Sequence, residues 1–270
     1  MDRDFIGFGI AGNFANHLEQ AGESKDFVDV VAKEGAPKGI FPTFIPNSDT
    51  FLGIFPFSSE EIDFIDDKDI QMEPEIALMC EMSYKDGEVE SIEPKLFGAY
   101  NDCSIRIEGA KKISHKKNWG KNSKGVSKNF IKIDNFSKGG VMDNYSLSSY
   151  IRRDGELIEY GENSELLGYS YFYEELLEWI KEKLNSQKDE GPLEDLLSLI
   201  KSANYPKKML ISIGATRYTE FGENNYLKRG DELFVVTYSH DKYSKEEIEN
   251  MIKEGDFSDN SISFLAHRVV

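Results

Sequence analysis

Short apolar runs bounded by turn residues dominate the hydrophobic pattern of this chain, and they predict strands more often than helices. Residues 76–82, 91–96, 128–134, 209–213 and 233–238 read as strands. Residues 5–12 read as a strand entering a glycine-permissive turn. Residues 148–153 and 156–160 flank Asp154-Gly155, a hairpin signal. Helical spacing occurs in fewer places. Leu166, Leu167, Phe172, Leu176, Leu177, Ile180 and Leu184 form one stripe, and the pattern predicts a helix capped by Asn163 or Ser164. A second helix is expected to open at Pro192, with Leu193, Leu196, Leu197 and Ile200 on one face. Ser244 and Glu247 have capping-box spacing ahead of a short C-terminal helix. Pro42, Pro46 and Pro56 keep residues 40–57 extended, and the acidic stretch 63–69 reads as a turn. The sum is an α+β domain, without repeat or linker, with a modest N-terminal extension.

With 270 residues, 39% hydrophobic and 12% aromatic, the chain can bury a full core. Its net charge of -17 argues against a nucleic-acid or anionic-membrane partner. One stretch runs against that background: Lys111, Lys112, Lys116, Lys117, Lys121, Lys124, Lys128 and Lys132. Most of these read as a solvated loop, with one or two available as an electropositive funnel for a small anion. Cys80 and Cys103 sit in apolar contexts without metal spacing and read as buried thiols of a reducing compartment. No apolar segment is long enough to cross a bilayer and no basic leader precedes one, so a cytoplasmic protein is expected.

The candidate chemistry lies in Glu73-Pro74-Glu75 and in Asp102. Alternate strand residues share a face, so Glu73 and Glu75 point the same way with alpha carbons roughly 6.5–7 Å apart. A third carboxylate, from Asp102, completes an oxygen-rich face of the kind Mg²⁺ or Mn²⁺ prefers. Pro74 donates no ladder hydrogen bond and suits a strand start. Gly7, Gly9 and Gly12 have the spacing of a dinucleotide fingerprint but lack the alternating βαβ context that it needs.

These residues resemble the fumarylacetoacetate hydrolase family, in its branch of shorter members that act on 2-oxo acids. Met72-Glu73-Pro74-Glu75 is similar to the family's Glu-x-Glu motif, and Asn101-Asp102-Cys103-Ser104-Ile105-Arg106 to its Asn-Asp-x-Ser-x-Arg motif. Gly12-Asn13-Phe14-Ala15-Asn16-His17, Pro42-Thr43-Phe44-Ile45-Pro46, Asp154-Gly155-Glu156 and Leu227-Lys228-Arg229-Gly230-Asp231 resemble further family segments. Lys124 stands about where the family has its catalytic lysine, with Lys121 and Lys128 close competitors. The chain departs from the family at Ile45, at Gln20, at Ala215 and in a longer segment over 185–208.

The resemblance implies a mixed β-sandwich roll over residues 66–270, with residues 1–65 as N-terminal extension and lid segment. It implies Mg²⁺ or Mn²⁺ held by Glu73, Glu75 and Asp102, and frequent homodimers. Lys124 is expected to supply positive charge, and His17, oriented by Glu19, to act as general base. Arg106 is expected to orient Asp102 or nearby backbone. The implied activity is hydrolysis of a C–C bond in a 2-oxo acid through an enolate. Isomerisation, decarboxylation and a non-catalytic metal- or acid-binding protein of the same fold remain the alternatives.

Overall fold

The computed structural model describes residues 3–15, 17–22, 33, 35–107 and 109–270; Asn16 of the His17 segment lies outside them. Strands β1 (Ile6–Ala11) and β2 (Gly39–Phe44) open the chain around the single turn α1 (His17–Gln20). Three two-residue strands follow: β3 (Phe57–Ser58), β4 (Glu61–Ile62) and β5 (Ile70–Gln71). Two long strands come next, β6 (Pro74–Lys85) and β7 (Glu88–Asn101). After them lie β8 (Ser104–Ile105), α2 (Ile113–Lys117), β9 (Lys124–Val126) and β10 (Ile131–Lys132). The second half begins with β11 (Tyr145–Arg153), β12 (Glu156–Glu165), α3 (Tyr173–Ser186) and α4 (Leu196–Ser202). It ends with β13 (Lys208–Ser212), α5 (Glu220–Asn224), β14 (Glu232–Ser239), α6 (Lys245–Glu254) and β15 (Ser263–Val269).

Two sheets form the α+β roll. The larger runs β2-β1-β13-β6-β7-β9-β3, with β10 also on β7, and the smaller runs β12-β11-β14-β15-β4. Most pairings are antiparallel; β1 with β13, β3 with β9 and β4 with β15 are parallel. The sheets face one another through Ile76, Leu78, Phe97, Leu147, Ile151, Val235 and Leu265, all buried. Burying each such side chain is worth about 1.5–3 kcal/mol. Phe97 meets Tyr145 edge-on at 5.0 Å, and the Ala99 N–H reaches across to Ser263 Oγ at 2.9 Å. The boundary expected at residue 65 falls between β4 and β5, and the strands before it hydrogen-bond into both sheets. Among the described residues, no helix is long and apolar enough to cross a membrane.

The hairpin forms where Asp154-Gly155 places it, with both residues at positive φ (53° and 85°), the backbone that such a turn demands. The capping box also forms, with both reciprocal bonds of Ser244 and Glu247 present. Other expectations are corrected. The strand foreseen over 128–134 shrinks to Ile131–Lys132, paired on β7. The helix foreseen from residue 163 starts at Tyr173, because Ser164 and Glu165 pair with β11. Asn163 Oδ1 accepts from Ser148 Oγ at 2.7 Å and from the Tyr238 hydroxyl at 3.1 Å, so its side chain serves the sheet and caps nothing. The helix foreseen at Pro192 starts at Leu196, capped by Asp195 on the Ser198 N–H at 3.0 Å. Pro192 instead lies in a turn closed by the backbone pair of Glu190 and Leu193.

Candidate metal centre and active site

The β6–β7 register builds the acidic cluster. Pro74 pairs with Asn101, which sets Glu73 opposite Asp102, and the Asp102 N–H donates to the Glu73 carbonyl at 2.9 Å. Asn101 Oδ1 accepts the Glu73 N–H at 3.1 Å, so the residue before the aspartate locks the glutamate's backbone. Glu73 and Glu75 share a face, and each of the three acids offers an oxygen within 4.8 Å of the others. All three are buried, at 3%, 1% and 0% exposure, which closes the cluster to solvent. At such spacing like charges repel by about 4 kcal/mol at an effective dielectric near 20.

Cations meet this charge unevenly. Lys117 Nζ bonds Glu73 Oε2 and lies 2.8 Å from Asp102 Oδ2. Arg106 Nη2 lies 2.8 Å from Glu73 Oε1 and 3.0 Å from the Tyr218 hydroxyl, while its Nε donates to Gln71 Oε1 at 2.7 Å. Arg106 thus orients Glu73, not Asp102. Burial works against ionised Glu73, yet Lys117, Arg106 and His17 outweigh it and hold the carboxyl well below its usual range. Glu75 fares differently. Burial and then the Asp102 charge push its carboxyl well above its usual range, and Lys117 with the Gly214 N–H at 2.9 Å only partly offset them. Gly214 offers that N–H from a φ of 112°, which side-chain-bearing residues rarely adopt.

Lys124, on β9, is fully buried with Nζ 3.1 Å from Asp102 Oδ1. Its ammonium also donates to the carbonyls of Cys103, at 2.9 Å, and Lys117, and burial lowers its pKa. The competitors foreseen for its place lie elsewhere: Lys121 is exposed, and Lys128 pairs with Glu60 at 2.6 Å on the surface. Lys117 is the residue that sequence reasoning left among the solvated lysines. Its signal was helical spacing, since Ile113 and Lys117 stand four apart on α2 and both are buried.

His17 is buried, tilted against the Tyr218 ring at 5.0 Å, with Nε2 4.0 Å from Glu73 Oε2. Its expected orientation by Glu19 is corrected. Glu19 is exposed two residues along the same turn whereas the imidazole is buried, and among the described residues Glu73 places a carboxylate beside His17. Gln20 ties the turn down, accepting the Tyr218 N–H at 2.9 Å and donating to the Tyr218 carbonyl at 3.2 Å. Both cysteines are buried free thiols, and burial pushes the Cys103 thiol up to about 12, which disfavours the thiolate at neutral pH.

Three converging carboxylates are the hard-oxygen donor set that suits Mg²⁺ or Mn²⁺. Burial is the larger part of the upward push on Glu75, and the Asp102 charge is the part that a cation there would relieve. The residues fit the ion.

No curated protein matches the chain in sequence. Solved structures match its fold across 98% of its length. One is 2-keto-3-deoxy-D-arabinonate dehydratase complexed with magnesium and 2,5-dioxopentanoate, at 14% identity, TM-score 0.54 and 72% of that chain covered. Another is 5-carboxymethyl-2-hydroxymuconate delta-isomerase from Mycobacterium smegmatis, at 16% identity, TM-score 0.52 and 78% covered. A third, from Oleispira antarctica, was assigned as a fumarylacetoacetate isomerase/hydrolase, at 12% identity, TM-score 0.53 and 93% covered. The fold is therefore that of the fumarylacetoacetate hydrolase group, reached by a divergent sequence. Residues 23–269 match the family described as DUF5718, a family of unknown function; that span contains the acids, Arg106, Lys117 and Lys124 but not His17. The chain belongs to the DUF5718 family and carries it on a fumarylacetoacetate hydrolase fold.

Proposed function

We propose that the chain is an enzyme of 2-oxo acids that works with Mg²⁺ or Mn²⁺ held by Glu73, Glu75 and Asp102, and that it hydrolyses a C–C bond in an acylpyruvate-like substrate. One observation carries this reading: three buried acids converge beside three basic side chains and a buried histidine, a concentration of opposed charge that packing alone does not call for. When bound, the ion supplies Lewis-acid polarisation of the substrate's 2-oxo group. Lys124 adds a fixed positive charge beside Asp102 for the oxygen on which negative charge develops. Arg106, braced by Gln71 and Tyr218, holds Glu73 in its ligating orientation. His17, beside Glu73, takes a proton from water or from substrate carbon.

Isomerisation or dehydration of a 2-oxo acid is the second reading, favoured by the activities named for two of the similar structures. Both readings develop negative charge on the oxygen of the 2-oxo group. In hydrolysis it arises as water adds to the acyl carbonyl and the C–C bond breaks, the freed carbon then taking a proton. In isomerisation or dehydration it arises as a proton leaves the carbon next to the 2-oxo group. Metal-loaded protein incubated with acylpyruvates, oxaloacetate and 2-keto-3-deoxy sugar acids separates them. Loss of enol absorbance with release of two acids supports hydrolysis, whereas a single rearranged or dehydrated product supports the second reading. Absence of turnover across the panel, with metal bound, overturns both and leaves a binding protein.

A further inference from the structure

We propose that Lys117 is a built-in cation of the acidic cluster, and that a divalent ion enters only as this lysine withdraws. The proposal rests on the metal-site reading above and concerns what that site holds between ions. Lys117 Nζ touches Glu73 and lies 2.8 Å from Asp102 Oδ2, two of the three proposed ligands, and its side chain is only 3% exposed. The three ligand oxygens lie within 4.8 Å of one another, so one small space serves any cation that contacts two of them. A divalent ion sits about 2.0–2.1 Å from its oxygens and an ammonium about 2.7–2.9 Å from its own. Both cannot share that space, and their like charges repel.

The helix that carries the lysine is fastened from outside. The Ile113 N–H donates to the Pro192 carbonyl at 3.1 Å, and Ser114 Oγ donates to Glu194 Oε1. Lys112 Nζ donates to the Leu193 carbonyl at 2.6 Å, and Asn118 Nδ2 to the Pro42 carbonyl at 3.0 Å. Pro192, Leu193 and Glu194 lie in the stretch between α3 and α4, so their bonds hold α2, and Lys117 with it, in place beside the acids. Lys124 holds the Lys117 carbonyl, so withdrawal falls to the flexible four-carbon stem. In the paired position the ammonium also lies 5.4 Å from the Phe41 ring, an aromatic contact that adds to its hold on the cluster.

A tethered ammonium neutralises the acids without an ion and weakens every ion that competes with it. Calorimetric titration of metal-stripped protein with Mn²⁺ tests this in wild type and in Lys117→Met. The variant is expected to bind Mn²⁺ at least tenfold more tightly. In wild type, reductive methylation read by mass spectrometry should modify Lys117 several-fold faster with saturating Mn²⁺ than without it. Should Lys117→Met not fold without metal, the labelling of wild type decides. Equal affinities, or Lys117 reactivity indifferent to bound Mn²⁺, overturn the lysine's role and leave the metal site standing. Failure of both proteins to bind Mn²⁺ overturns the metal site, and this inference with it.

Discussion

Asn101 Nδ2 donates to Nε2 of His267 at 2.9 Å, because the carboxamide oxygen already accepts the Glu73 N–H. An acceptor Nε2 makes His267 neutral with its proton on Nδ1. Burial pushes its pKa down to about 3, in keeping with that state.

Acid should therefore weaken the fold through His267. Its folded pKa lies below the unfolded value, so the unfolded chain takes up the proton first. The stability it contributes is complete above about pH 6.5 and is lost as the pH falls towards 3. Between pH 7 and pH 4 the loss should reach about 3 kcal/mol. Urea unfolding of wild type and His267→Gln across that range measures it, and curves that stay parallel would refute it.

Glu194 works in the opposite direction. Burial raises its carboxyl from 4.5 to about 7 despite the hydrogen bond from Ser114. Stability from this group is full below about pH 4.5 and is lost as the pH rises through about 7. Glu194→Gln keeps an acceptor for Ser114 and removes the buried charge. It should be more stable than wild type at pH 8 by up to about 3 kcal/mol and indistinguishable from it near pH 4. Thermal unfolding at the two pH values checks both halves.

Glu73 and Glu75 should respond differently to the same substitution. Glu73→Gln leaves Lys117 and Arg106 facing a neutral amide and should cost about 3–5 kcal/mol. Glu75→Gln replaces a carboxyl that burial and the Asp102 charge keep from ionising, and it should stay within about 1 kcal/mol of wild type in chelator. Both should weaken Mn²⁺ binding. Denaturation in chelator alongside Mn²⁺ titration tests the pair, and equal costs would refute the distinction.

Asp231 closes the turn after Leu227, accepting the Lys228 N–H at 2.7 Å and a two-pronged pair from Arg153 at 2.9 and 2.6 Å. Asp231→Asn should cost about 3 kcal/mol, since it strands a largely buried guanidinium. Urea unfolding at neutral pH measures this, and a cost below about 1 kcal/mol would count against it.

Features set by local chemistry were legible in the sequence: the Asp154-Gly155 turn, the Ser244 capping box and the shared face of Glu73 and Glu75. Asp102 could be grouped with them only as a further acid in an apolar stretch, because the register that brings it to Glu73 is a pairing across 28 residues. The helix start at residue 163 was misread because Asn163 is as good a partner for Ser148 as for a helix end. Lys117 was hidden by composition. Among eight lysines in one stretch, helical spacing from Ile113 points to Lys117 and equally to Lys116, and both are buried on α2.

Ile6 lies alongside Met209 in the middle of the larger sheet, although some two hundred residues separate them along the chain. A growing polypeptide cannot close that sheet until β13 has emerged, so most of its length must wait, partly assembled, on the ribosome. The first strand stays without its parallel neighbour until those two hundred residues have been made.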